Sequence, residues 1–167
     1  VLVVGLLALG QALESVAGLV GLGDSPALVL SRRMLEGTKG PDLFGAVVVL
    51  GLIAGSAEEI FFRGYMQSRL REHWSPLPSV LVTSTAFAVL HVDISLIHIV
   101  LAFTLALYLG WVVETTGSAL PAITCHIVNN VVYTLQTALG VTAQGRDANL
   151  IAAPIAAAVF VGWVLGG

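Results

Sequence analysis

Residues 41–72 read PDLFGAVVVLGLIAGSAEEIFFRGYMQSRLRE, and this stretch decides the fold. Its Pro41-Asp42 start suits a first helical turn, because proline lacks the N–H left unpaired there and aspartate complements the positive helix end. A run of Val, Leu, Ile, Ala and Gly leads to Glu58-Glu59. The helix is predicted to run on to about Glu72, where Trp74, Pro76 and Pro78 break it. Crossing the hydrocarbon of a bilayer takes about 20 mostly apolar residues. The stretch is long enough, and it carries two carboxylates and the Arg63 guanidinium along its interior.

The rest of the chain agrees. Its 167 residues are 57% apolar and only 10% charged, with a mean hydropathy of +0.95. A soluble domain carries about 25% charged residues, and disordered chains are polar and charge-rich. The net charge is −3 with no basic run, which excludes nucleic acid as a partner. A single cysteine, Cys125, leaves no disulfide framework and no CxxC site. The expectation is an all-α, polytopic membrane protein.

Six segments are expected. The first covers about Val1–Gly23. The chain begins without Met and without a basic n-region, so this segment is no signal peptide, and preceding residues are expected to be missing. A polar connector, Asp24–Gly40, holds Arg32, Arg33, Glu36 and Lys39. After the 41–72 helix come about Leu77–His91, Ile94–Glu114 closed by Gly117, Ala119–Leu139 with Pro121 in its first turn, and Ile151–Leu165 beyond a polar loop Thr142–Asn149. No repeat and no strand alternation stands out. Residues 1–40 read as an N-terminal helix and connector, 41–139 as the helical core, and 140–167 as a loop and C-terminal helix.

An ionisable group inside hydrocarbon is costly and marks a functional candidate with a partner to be found. Glu59 and Arg63 stand at i and i+4, the favourable order for a structural ion pair. Glu58 points about 100° away around the helix and needs another partner. An unpaired carboxyl in a low dielectric suits acid/base chemistry, so Glu58 is the better candidate. His126 and Asn130 share one helix face, where interhelical hydrogen bonding is the bland alternative. His91 alone reads as a core histidine. Depth favours a shared site: from the Arg69/Arg71 side, Glu58 lies about 16 Å in, His91 about 20 Å, His126 about 10 Å and Asn130 about 16 Å, at 1.5 Å per residue. Three helices bring four polar groups near the middle of the bilayer.

These residues resemble the CPBP family, the CAAX prenyl endopeptidases and their bacterial and archaeal (Abi) relatives. Its EExxxR, FxxxH and HxxxN/D motifs appear in order as Glu58-Glu59-Ile60-Phe61-Phe62-Arg63, Phe87-Ala88-Val89-Leu90-His91 and His126-Ile127-Val128-Asn129-Asn130. The resemblance implies an intramembrane endopeptidase. It implies catalytic roles for Glu58 and His91 in activating water, and for His126 and Asn130 in stabilising the oxyanion, with Glu59 and Arg63 in support. A peptide or protein substrate within the lipid bilayer follows, and a multi-pass location in a prokaryotic cell membrane. The family has been described both as metalloproteases and as glutamate proteases. Glu58, His91 and His126 are the three zinc ligands available, but there is no HExxH, and a metal-free mechanism is favoured.

The competing class is a non-proteolytic membrane protein, an immunity or scaffolding factor or a proton-coupled transporter, although no inverted-repeat pattern is evident. Gly21-Leu22-Gly23-Asp24 matches the GxGD string of aspartyl intramembrane proteases but lacks a second intramembrane aspartate. Cys125 and His126, adjacent on a helix, diverge by about 100° and form no dyad. His98 either lines the site or sits at the interface. Glu14 either marks a cavity or pairs with the connector's arginines. Trp74, Trp111 and Trp163 read as interfacial anchors.

Overall fold

The computed structural model describes residues 2–22, 26–91, 96–142 and 145–166. Among them are seven helices and no strand: α1 Leu2–Leu19, α2 Pro26–Leu35, α3 Gly40–Arg71, α4 Pro76–Leu90, α5 Leu96–Thr116, α6 Leu120–Ala138 and α7 Arg146–Gly166. Proline opens α3, α4 and α6 in the first turn, where no intrahelical bond is lost. Gly117 and Gly140 follow α5 and α6 with φ of 69° and 66°, a conformation that stops a helix and that glycine adopts without strain. These signals are why the expected segment boundaries lie within a few residues of the observed ones.

Two expectations need correction. The Asp24–Gly40 connector is not a plain loop, because residues 26–35 form α2. That helix is too short and too charged to span, and Leu35 on it lines the internal cavity. The polar loop expected at Thr142–Asn149 is shorter, since α7 begins at Arg146. Asn149 is buried in its first turn against Gly18 of α1, where a Cβ would lie 2.3 Å from the Asn149 amide nitrogen. The Gly23-Asp24 half of the GxGD string and Asp93 lie outside the described residues.

By length and composition α1, α3, His98–Thr116 of α5 and Arg146–Leu165 of α7 are able to cross a membrane. The other two expected spans differ. α4 is apolar but has 15 residues, about 22 Å at 1.5 Å per residue. α6 carries a histidine, two asparagines and a glutamine along its 19 residues. The helix that decides the fold is turned inside out relative to a soluble one. Phe44, Ile53, Ile60, Phe61 and Tyr65 face outward, while Glu59 and Arg63 have no exposed surface. Lipid as the outer solvent rewards that arrangement.

Along α3 the hydrogen-bond ladder widens to the i→i+5 pattern over Val47–Ala54 and again over Ile60–Gln67, leaving Gly55–Glu59 α-helical between them. Such π turns concentrate at functional sites. Two apolar clusters pack the bundle. Leu6, Leu109, Val112, Ala122 and Cys125 join α1, α5 and α6, and Phe62, Phe87, Ala88, Ala102 and Ala106 join α3, α4 and α5. Trp163, expected as an interfacial anchor, also has packing partners within the bundle. It packs over Gly5 beside Tyr108, in the α1–α5–α7 seam.

Candidate active site

Glu59 sits at the crossing of three helices. Its Oε1 accepts from Arg63 Nη1 at 2.8 Å and from His126 Nδ1 at 2.8 Å. Arg63 spends a second N–H on the Ala106 carbonyl of α5 at 2.8 Å, and its guanidinium lies 5.2 Å from the centre of the Phe87 ring. The expected i, i+4 ion pair is therefore present, and it also reaches α4, α5 and α6. One turn on, Gln67 donates to the Gly110 carbonyl at 3.0 Å and to Glu114 at 2.9 Å. Small residues on α5, Ala106 and Gly110, give both side chains access to those carbonyls.

Glu58 is the exposed member of the glutamate pair, with 31% of its side-chain surface open against none for Glu59. Its carboxylate lies 3.6 Å from His126 Nε2, so His126 stands between the two acids with one ring nitrogen on each side. Because Glu59 is an acceptor, Nδ1 of His126 carries a proton, and the nitrogen turned toward Glu58 is Nε2.

His91 caps the C-terminal end of α4. Its Nδ1 donates to the Phe87 carbonyl at 2.8 Å, and its ring stacks on Phe87 at 4.3 Å. A carbonyl only accepts, so Nδ1 carries a proton and the nitrogen left for the cavity is Nε2. The ring of His98, on α5, lies 6.5 Å from that of His91. The Phe87 ring is the hub beneath the site, edge-on to Phe62 at 5.1 Å and to His126 at 5.9 Å.

Asn130 donates one amide N–H to the Leu50 carbonyl of α3 at 3.1 Å, and its Oδ1 accepts from Asn129 at 3.4 Å. Close approach makes this reach available. A Cβ on Gly55 would lie 3.3 Å from the Ile127 backbone, and one on Gly51 would lie 2.6 Å from Val131 Cγ2. Gly51 and Gly55 form the small-xxx-small spacing that lets membrane helices touch. That signal is in the sequence, and it points to the α3–α6 contact.

Glu58, His91, His126 and Asn130 all line one cavity of about 870 Å³, with His98, Asn129, Tyr133 and Glu14 also on its wall. Glu59 and Arg63 stand behind it. Among the described residues no three His, Cys, Asp or Glu side chains are grouped as a metal ion requires. Glu58, His91 and His126 share the cavity, and each histidine holds Nδ1 to a protein acceptor, which leaves Nε2 as the nitrogen that would meet a ligand.

A lipid-facing helical bundle that buries ionisable groups around a central cavity defines an integral membrane protein with an internal site. Residues 40–132, more than half of the chain, match the family model described as type II CAAX prenyl endopeptidase Rce1-like, and the chain belongs to that family. It is accordingly an intramembrane protease of the CAAX endopeptidase type, acting on a peptide or protein. No curated protein and no solved structure gives a significant match.

Proposed function

We propose that the cavity hydrolyses a peptide bond with water activated between Glu58 and His91, and with His126 and Asn130 donating to the oxyanion. The observation that carries this reading is the division between adjacent glutamates. Glu59 is fully buried and engaged by Arg63 and His126, whereas Glu58 opens onto the cavity.

In this mechanism the water donates one hydrogen bond to Glu58 and one to Nε2 of a neutral His91 ring. Glu58 takes a proton as the water oxygen attacks the scissile carbonyl. The developing oxyanion accepts from the Nε2–H of protonated His126, whose charge Glu59 supports at Nδ1. It also accepts from the second amide N–H of Asn130, the first being held by Leu50. The proton on Glu58 then passes to the departing amine as the C–N bond breaks. Every step uses side chains of this chain, and none is routed through a metal.

The test is a peptide library incubated with purified protein in detergent and read by mass spectrometry. Glu58→Gln keeps the side chain's shape but removes its ability to take the proton. The expected loss is at least about 1000-fold, within the range general acid–base groups supply, and a chelator leaves the wild-type rate unchanged. Wild-type cleavage by Glu58→Gln overturns the assignment.

A further inference from the structure

The cavity carries a second carboxylate that the mechanism does not use. Glu14, on α1, lines it beyond the catalytic groups. Arg32 on α2 is the charge acting on it, yet among the described residues Glu14 has neither a hydrogen bond nor an ion pair. Arg32 Nε is itself buried without a partner, so the two do not satisfy each other. Among the described residues no lysine or arginine lines the cavity. The wall here presents a carboxyl group to which no described residue donates.

The position of Glu14 relative to the catalytic groups follows from the helices. A Cβ at Gly10 of α1 would lie 4.0 Å from Asn129 Oδ1, next to Asn130. Glu14 is one turn further along α1, about 6 Å at 1.5 Å per residue. An extended peptide advances about 3.3 Å per residue. A peptide with its scissile carbonyl at Asn130 therefore brings a side chain about two residues away alongside Glu14.

We propose that Glu14 forms a subsite for a cationic side chain, lysine or arginine, about two residues from the bond that is cut. The proposal rests on the peptidase reading above and deepens it, naming a substrate feature. Glu14 would accept a charge-assisted hydrogen bond from the ammonium or guanidinium, and the cation would take the donor role that no described residue fills.

The experiment compares peptides that differ only in lysine, glutamine or glutamate at that position. Each is offered to wild-type protein, Glu14→Gln and Glu14→Lys, with cleavage rates and binding by fluorescence anisotropy measured in parallel. Wild-type protein should favour lysine through KM, with kcat little changed. Glu14→Gln should lose that preference by about 10- to 100-fold, the worth of a hydrogen bond to a charged group, while cleaving the glutamine peptide as before. Glu14→Lys should shift preference to the glutamate peptide. Equal loss on all three peptides, or an unchanged lysine preference in Glu14→Gln, overturns the subsite. If no form cleaves anything but lysine-dependent binding is lost in Glu14→Gln, the peptidase reading fails and the subsite stands.

Discussion

Arg63 has no exposed surface, and its charge is met at 2.8 Å by Glu59, which His126 also engages at 2.8 Å. The pair was legible in the sequence from its i, i+4 spacing. Its tie to His126 was not, because 67 residues separate the two and only packing joins them. Removing one partner of a buried ion pair leaves the other charge uncompensated and costs about 3–5 kcal/mol. Arg63→Ala is expected to lower stability by that amount, read as an earlier unfolding transition in detergent. Arg63→Lys should recover only part of it. Lysine is a point charge, and it cannot serve Glu59 and the Ala106 carbonyl with one planar fork. A transition that does not move in Arg63→Ala would mean that the cluster contributes no stability.

Between elements, the α3–α6 seam sets where His126 and Asn130 sit. At Gly55 an added Cβ meets the Ile127 backbone at 3.3 Å, and backbone yields less readily than a side chain. Gly55→Ala should push α6 outward, cost about 1–3 kcal/mol as overpacking does, and slow cleavage by at least about tenfold. Gly45→Ala, with nothing within 4 Å of the new Cβ, is the matched control and should cleave at the wild-type rate. Equal rates in the two variants would separate the seam from catalysis. Helix ends on this scale were legible, since Pro41, Pro76, Pro121, Gly117 and Gly140 punctuate the chain with residues whose backbone chemistry is local. The π turns in α3 and the short helix α2 were not. A π turn has no composition of its own. The Arg32-Arg33 pair placed a ten-residue amphipathic helix inside what read as a polar connector.

Across the whole molecule, the side of the cavity that holds Glu58, His91, His126 and Asn130 comes from α3, α4 and α6 up to Asn130, within the residues that match the family. The facing wall comes largely from outside that match: Val4 to Glu14 of α1, Leu35 of α2, and Ala152 to Val159 of α7. On the proposed mechanism the reacting groups and the opposite wall belong to separate parts of the chain, so the two are separable by substitution. Gly10 lies on the α1 wall, and the nearest atom to an added Cβ, Asn129 Oδ1, is 4.0 Å away. A side chain added there starts toward the cavity, and among the described residues no backbone of another helix lies within 4 Å of its first carbon. Gly10→Phe should therefore fill space that a peptide needs, lowering kcat/KM by at least about 100-fold through lost binding, with the unfolding transition unmoved. Glu58→Gln should do the opposite, binding peptide as the wild type does and failing to cut it. Anisotropy and cleavage measured on one labelled peptide distinguish the two. Gly10→Phe binding and cutting normally would show that the peptide reaches the catalytic groups by a route α1 does not border.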